Sequence, residues 1–229
     1  MTLVLEVDAV SKAFPTPADP LVVLEGVSLV AGAGERLVVT GPSGSGKSTL
    51  LAILGGLEPP TTGHISVAGV DPFRLSAARR AAFRNQRIGF VFQEHHLLES
   101  CTALENVLLP VLATGRASAP QVERARMLLD RVGLASRERH LPAELSGRER
   151  QRVAVARAVM REPMLLLADE PTGQLDSQAA VGVVDVLTSM VGETGSLLLV
   201  VTHDDQIATR VADHPQGRRL HMLDGRLLP

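Results

Sequence analysis

Gly41-Pro-Ser-Gly-Ser-Gly-Lys-Ser-Thr49, entered from the apolar run Leu37–Val39 through Thr40, is the stretch on which the reading of this chain turns. Glycines at 41 and 46 followed by Lys47 and Ser48 form the P-loop pattern. Such glycines let successive backbone N–H groups face inward around phosphate oxygens, and the helix that follows aims its positive end at the same point. Gly41, Pro42, Ser43, Gly44, Ser45, Gly46, Lys47, Ser48 and Thr49 are therefore the expected nucleotide-binding residues. Lys47 offers a compact ammonium to the β- and γ-phosphates, a task that arginine's planar fork performs poorly. Ser48 offers a hydroxyl to Mg²⁺. The chain's own usage sharpens the point, because of 23 basic residues only Lys12 and Lys47 are lysines.

Three further apolar runs end as the first does. Ile88–Phe92 leads into Gln93, Met164–Ala168 into Asp169 and Glu170, and Leu197–Val201 through Thr202 into His203. Each is too short for a helix and continuous rather than alternating, as strands covered on both faces are. In an open α/β sheet the ligand crevice lies at the carboxyl ends of the strands, so the four polar endings should share one edge. There Asp169 would hold the Mg²⁺ shell and Glu170 would orient and deprotonate the attacking water. Between these strands, Ala103–Leu112 and Gln121–Val132 have helical spacing, and a third helix should run from Ser146 to about Arg161, stopped by Pro163. A short helix over Asp205–Ala212 and a hairpin turned at Asp224-Gly225 should follow. Toward the N-terminus, Leu3–Val10, Leu21–Val30 and His64–Ala68 read as a small antiparallel sheet, with Phe14 to Pro20 as a proline-rich loop.

Composition narrows the function classes. The chain has 229 residues, 45% of them hydrophobic and 21% charged, which is material for one well-cored domain. A net charge of −2 argues against bulk binding of nucleic acid or an anionic membrane. With no Trp, no Tyr and five Phe, stacking platforms for single-stranded nucleic acid are nearly excluded. A single cysteine, Cys101, fits a reducing compartment and reads as packing. His95-His96 lacks the cysteines or acids that would complete a metal site. No basic residue precedes Lys12 and no apolar run spans a bilayer, so a soluble, cytoplasmic protein is expected.

Leu145-Ser-Gly-Arg-Glu-Arg-Gln-Arg152 adds the family. Taken with the P-loop, Gln93, Asp169-Glu170, Asp176 and His203 in that order, the chain resembles the ATP-binding subunit of an ABC transporter over essentially its whole length. The resemblance implies an α/β fold: a P-loop NTPase core with a parallel sheet, an N-terminal antiparallel β subdomain and a helical insertion. Residues 1–93 and 160–229 would form the core and 94–159 the helical subdomain. It implies an ATPase using ATP and Mg²⁺, with Gln93, Glu170 and His203 catalytic and Ser48, Gln93 and Asp169 at the metal. Ser146 and Gly147 would grip the γ-phosphate of ATP on the partner's P-loop, Asp176 would cross the same interface, and Phe14 would stack on adenine. Two copies would close head to tail around ATP and drive an integral membrane permease. No nucleic acid and no direct contact with the cargo are implied. The chain would sit on the inner face of the cell membrane through that permease.

The segment Phe92 to Val107 with Gly173-Gln-Leu-Asp176 is similar to the lipoprotein-release and macrolide-export branch. A cell-division-type regulatory ATPase and a polar amino-acid importer subunit are the alternative readings. Three positions depart from the family pattern. Arg148 stands where the signature carries its second glycine, Gln174 replaces the branch's asparagine, and Phe14 replaces a tyrosine.

Overall fold

The structure, a computed structural model, describes residues 2–17, 19–173 and 177–228. Its N-terminal part is an antiparallel sheet of β1 (Leu3–Phe14), β2 (Leu21–Gly32) and β4 (Thr62–Val67), with β1 between the other two. The strand expected to end at Val10 continues to Phe14, which pairs with Leu21, so Phe14 belongs to the sheet and not to the proline-rich loop. A register shift between Val7 and Val10, with Ala9 at φ 47°, is the reason the alternation breaks early.

The second sheet has the order β5-β6-β7-β3-β8-β9. Here β3 is Arg36–Thr40, β5 Ile88–Val91, β6 Leu165–Asp169, β7 Leu197–Val201, β8 Gly217–Leu223 and β9 Arg226–Leu228. All neighbours are parallel except β8 and β9, the hairpin turned at Asp224 and Gly225 with φ 46° and 74°. Successive residues of the central strands face opposite sides. Val38, Leu166, Ala168, Leu198 and Val200 join one apolar cluster, and Leu37, Val39, Leu165, Leu167, Leu199 and Val201 join the other. That two-sided burial is what makes these strands read as unbroken apolar runs.

One cluster is closed by the N-terminal sheet and α1 (Lys47–Leu54). The other is closed by α3 (Ala103–Leu112), α4 (Ala119–Arg131), α5 (Gly147–Ala158), α6 (Ser177–Thr194) and α7 (Asp205–Ala212). Of the expected helices, that starting at Ser146 ends at Ala158, three residues before Arg161. Two helices lie outside the sequence reading: α2 (Ala77–Arg87) and α6.

Parallel pairing sets the strand ends level. Val91 sits beside Ala168, Asp169 beside Val201, and Val201 beside Val39. Gln93, Glu170, Thr202 and Gly41 therefore leave the sheet side by side.

Candidate functional site

A cleft of about 590 Å³ lies over these strand ends, lined by Val23, Ser43, Gly44, Gly46, Lys47, Ser48, Thr49, Gln93, Glu170 and His203. Residues from four loops thus meet in one place. The loop between β3 and α1 cannot drift. A Cβ on Gly41, at φ 149°, would come within 2.1 Å of the Met222 carbonyl on β8. One on Gly46, at φ 102°, would come within 2.7 Å of the Val23 carbonyl on β2. Only glycine permits both approaches. Ser45 Oγ is buried with no partner among the described residues, a hydroxyl donor suited to a phosphate oxygen.

Lys47 is 8% exposed and its Nζ donates to the carbonyls of Gly41 and Pro42, each at 2.8 Å. Lys12, the other lysine, is also buried at 7% exposure. It pairs with Glu58, donates to the Pro59 carbonyl at 2.8 Å and lies 4.8 Å from the Phe14 ring centre. Phe14 is half-buried there and does not line the cleft, where Val23 stands instead.

Ser48 Oγ donates to Asp169 Oδ1 at 3.2 Å, so the first turn of α1 and the end of β6 meet. Burial pushes the Asp169 carboxyl above its usual range, the Ser48 hydroxyl opposes this, the Glu170 charge adds to it and Lys47 opposes it. A hydroxyl, a carboxylate and the Gln93 amide supply oxygen donors, the set that suits a hard divalent cation completed by waters and phosphates. The residues present fit Mg²⁺ on those grounds.

Glu170 occupies φ 43°, a strained conformation for a side-chain-bearing residue. Its N–H donates to the Val201 carbonyl at 3.0 Å, and Gly173 N–H donates to its carbonyl at 3.0 Å. His203 Nδ1 lies 2.8 Å from Glu170 Oε1, and Thr202 Oγ1 donates to Oε2 at 3.1 Å. His203 is mostly exposed while Glu170 is largely enclosed. Gln93 is exposed and its amide faces Gly173.

Ser146 caps α5. Its Oγ accepts from Glu149 N–H at 3.3 Å, and Glu149 Oε2 accepts from Ser146 N–H at 2.8 Å. The Ser146 backbone and hydroxyl bonds hold the Glu149 carboxyl below its usual range, against a small opposing effect of burial, with Arg137 and His140 helping. Ser146 is exposed, Gly147 half-buried and Arg148 exposed; Ser146 and Gly147 do not line the cleft. Asp176 lies outside the described residues.

Two contributors were not signalled by the sequence. Thr202, fully buried, is one. The other is Gln151 on α5, 1% exposed, whose Nε2 donates to the Pro171 carbonyl at 2.7 Å and the Phe92 carbonyl at 3.4 Å. Its Oε1 accepts from His95 Nδ1. Burial pushes His95 below the ordinary imidazole range, opposed by that bond and aided by Arg150, His96 and Arg157. Arg157, also on α5, donates to the carbonyls of His96 at 2.6 Å and His95 at 2.7 Å. The segment that follows Gln93 is thus fastened to the helix that Ser146 begins.

Comparison with known proteins places this geometry. The family model described as "ABC transporter" matches residues 24–173. The lipoprotein-releasing system ATP-binding protein LolD 1 of Rhodopirellula baltica is 47% identical over 224 residues, covering 98% of this chain and 96% of that protein. LolD 1 of Caulobacter vibrioides is 48% identical over 228 residues, covering 99% and 95%. Among solved structures, the dimeric post-hydrolysis state of the ATP-binding cassette MJ0796 bound to ADP and Pi superposes with a TM-score of 0.87 at 35% identity. It covers 97% of this chain and 96% of that one.

Proposed function

The chain belongs to the ABC transporter family as one of its ATP-hydrolysing subunits, and on that premise we propose that it powers a lipoprotein-releasing complex by driving a separate membrane permease. The observation that carries this reading is the convergence of Lys47, Ser48, Gln93, Glu170 and His203 on one cleft from four strand ends. The relatives' names supply the lipoprotein-releasing role. A cell-division-type regulator and an amino-acid importer are not favoured beside them.

In this reading the residues divide the work as follows. The backbone of Gly41 to Thr49 cradles the phosphates of ATP, and Lys47 swings its ammonium from its own carbonyls to the β- and γ-oxygens. Ser48, Asp169 and Gln93 would hold Mg²⁺, which when bound would neutralise phosphate charge. Glu170 takes a proton from the attacking water, and His203 shares the carboxylate and faces the γ-phosphate. Phe14, which pairs with Leu21 and lies against Lys12 off the cleft lining, can serve adenine only by turning toward the cleft. Ser146 and Gly147 serve the nucleotide of a second copy, which is consistent with their lying off this chain's cleft. Asp176, outside the described residues, would take part at the same interface.

The division into a core of 1–93 and 160–229 and a helical subdomain of 94–159 is part of this proposal, supported by α3, α4 and α5 packing on one another. The permease docks in a groove of about 390 Å³ beside Gln93, lined in part by Phe90, Phe92, His96, Pro110, Arg157 and Arg161. No helix among the described residues is long and apolar enough to cross a membrane. Attachment at the inner membrane face therefore runs through that groove. Affinity capture from membranes tests the partner. Recovery of a permease with a large extracytoplasmic domain is expected, and recovery of an importer permease with a solute-binding protein overturns the reading.

A site that needs two copies has a kinetic signature. ATP turnover per chain should rise with enzyme concentration until dimers saturate, so total rate climbs faster than linearly. Phosphate release measured over a hundredfold dilution series checks this. Strict proportionality, with no dimer on sedimentation in Mg-ATP, would mean that one chain completes its own site.

A further inference from the structure

Thr202 closes β7 between the apolar strand and His203, fully buried. Its own N–H donates to the Val39 carbonyl at 3.1 Å, which ties it to the strand that feeds the P-loop. Its hydroxyl accepts from Asp204 N–H at 3.0 Å and lies 3.1 Å from Glu170 Oε2. An ionised carboxylate only accepts and a backbone N–H only donates, so the single hydroxyl proton points at Glu170. Asp204 in turn caps α7, its Oδ1 accepting from Gln206 N–H at 2.8 Å and Ile207 N–H at 3.2 Å. Nothing in this chain of bonds leaves the Thr202 hydroxyl a choice of rotamer.

The geometry points to Thr202 as a positioning residue for ATP hydrolysis: its hydroxyl fixes the plane of the Glu170 carboxylate against the attacking water. This deepens, and rests on, the reading of Glu170 as the base. His203 Nδ1 holds one carboxylate oxygen and Thr202 holds the other, so rotation about the terminal torsion is blocked while each oxygen keeps a free lone pair. That torsion is otherwise broad and soft. The strained φ of Glu170 is tolerated only where surrounding bonds over-determine it, and among the described residues Thr202 supplies the one bond to its side chain that comes from a fully buried partner. His203, largely exposed, can leave Oε1 for a phosphate. Thr202 has no such freedom, so it keeps the carboxylate aligned when His203 turns away.

Thr202→Val replaces the hydroxyl by a methyl of equal shape. The expected result is a kcat lowered roughly 10- to 100-fold, the scale of a misplaced catalytic group. KM and the affinity for a fluorescent ATP analogue should stay within about twofold, because no phosphate contact is removed. Thr202→Ser, which restores the donor, should return kcat to within about threefold of the parent. In a Glu170→Gln background Thr202→Val should add no further loss, since the two act as a unit. Should Thr202→Val not fold, Thr202→Ala and Thr202→Ser compared at one temperature, on protein shown folded by circular dichroism, carry the same contrast. Normal kcat in Thr202→Val beside an inactive Glu170→Gln overturns the proposal. Normal turnover in Glu170→Gln itself overturns the reading beneath it, so the two failures are told apart.

Discussion

Glu170→Gln keeps ATP bound, holds two copies together in Mg-ATP, and lowers turnover roughly 10²- to 10⁴-fold, the contribution of a general base. The substitution is isosteric, and the surroundings accommodate it. The amide oxygen can accept from Thr202 Oγ1, which lies 3.1 Å from Oε2. The amide nitrogen can then donate to His203 Nδ1, provided the ring moves its proton to Nε2. That shift is cheap for a ring that is 71% exposed. The backbone bonds of residue 170 to Val201 and from Gly173 involve no side-chain atom and survive. What is lost is a proton acceptor held at both oxygens inside the cleft. ATP then stays in both interfaces with no base to start the attack. Size-exclusion in Mg-ATP with parallel phosphate release checks both halves. A variant that stays monomeric, or one that turns over normally, sinks the assignment of Glu170.

Lys47→Ala abolishes ATP binding in the working range. Two charge-assisted contacts to phosphate oxygens at about 1.5–3 kcal/mol each amount to a loss of at least roughly 100-fold in Kd. Lys47→Arg should fail nearly as badly, although the chain uses arginine almost everywhere else. Lys47 is 8% exposed, and its ammonium sits between the carbonyls of Gly41 and Pro42, in a space with no provision for a planar fork. The loop cannot widen to make room, because Gly41 lies hard against the Met222 carbonyl and Gly46 against Val23 and Leu24. Titration with a fluorescent ATP analogue reads both variants. Parental affinity in Lys47→Arg would refute the argument that a point charge is required.

How much of this was legible in advance depended on how local each signal is. The phosphate loop is nine contiguous residues, and the strands before Gly41, Gln93, Asp169 and His203 advertise themselves because both faces are buried. Thr202 and Gln151 gave no such sign. Thr202 meets Glu170 across 32 positions, and Gln151 meets Pro171 across 20 and Phe92 across 59, so only the folded sheet brings them together. Thr202 reads as a β-branched strand end, and Gln151 falls in the Leu145 to Arg152 stretch that carries the family resemblance without any role of its own being legible there. The helix α2 fully buries none of its residues, and its apolar face is four alanines with the partly buried Phe83 among four arginines, a weak signal beside the long side chains of the core. Along α6 the buried Val183, Val184, Leu187, Met190 and Val191 do have helical spacing, but β-branched residues and Gly182 blur it toward a strand. Phe14 reads as loop from the sequence because the register shift near Ala9 hides the second half of β1.

The two lysines, both enclosed and both bonded to carbonyl oxygens, have a consequence outside catalysis. The folded chain shows solvent almost no lysine amine, so its side-chain cations at the surface are guanidinium groups. An acylating reagent should therefore leave both lysine side chains of the native protein nearly unmodified, and a lysine-specific endoprotease should cut it slowly. Cutting after Lys12 requires β1 to leave a sheet in which it is paired on both sides, and cutting after Lys47 requires the start of α1 to unwind. Cleavage at these two points, followed on a gel, times the opening of the N-terminal sheet and of the phosphate loop separately. Bound ATP should slow the second cut and leave the first almost unchanged, which makes the chain its own footprinting reagent for nucleotide.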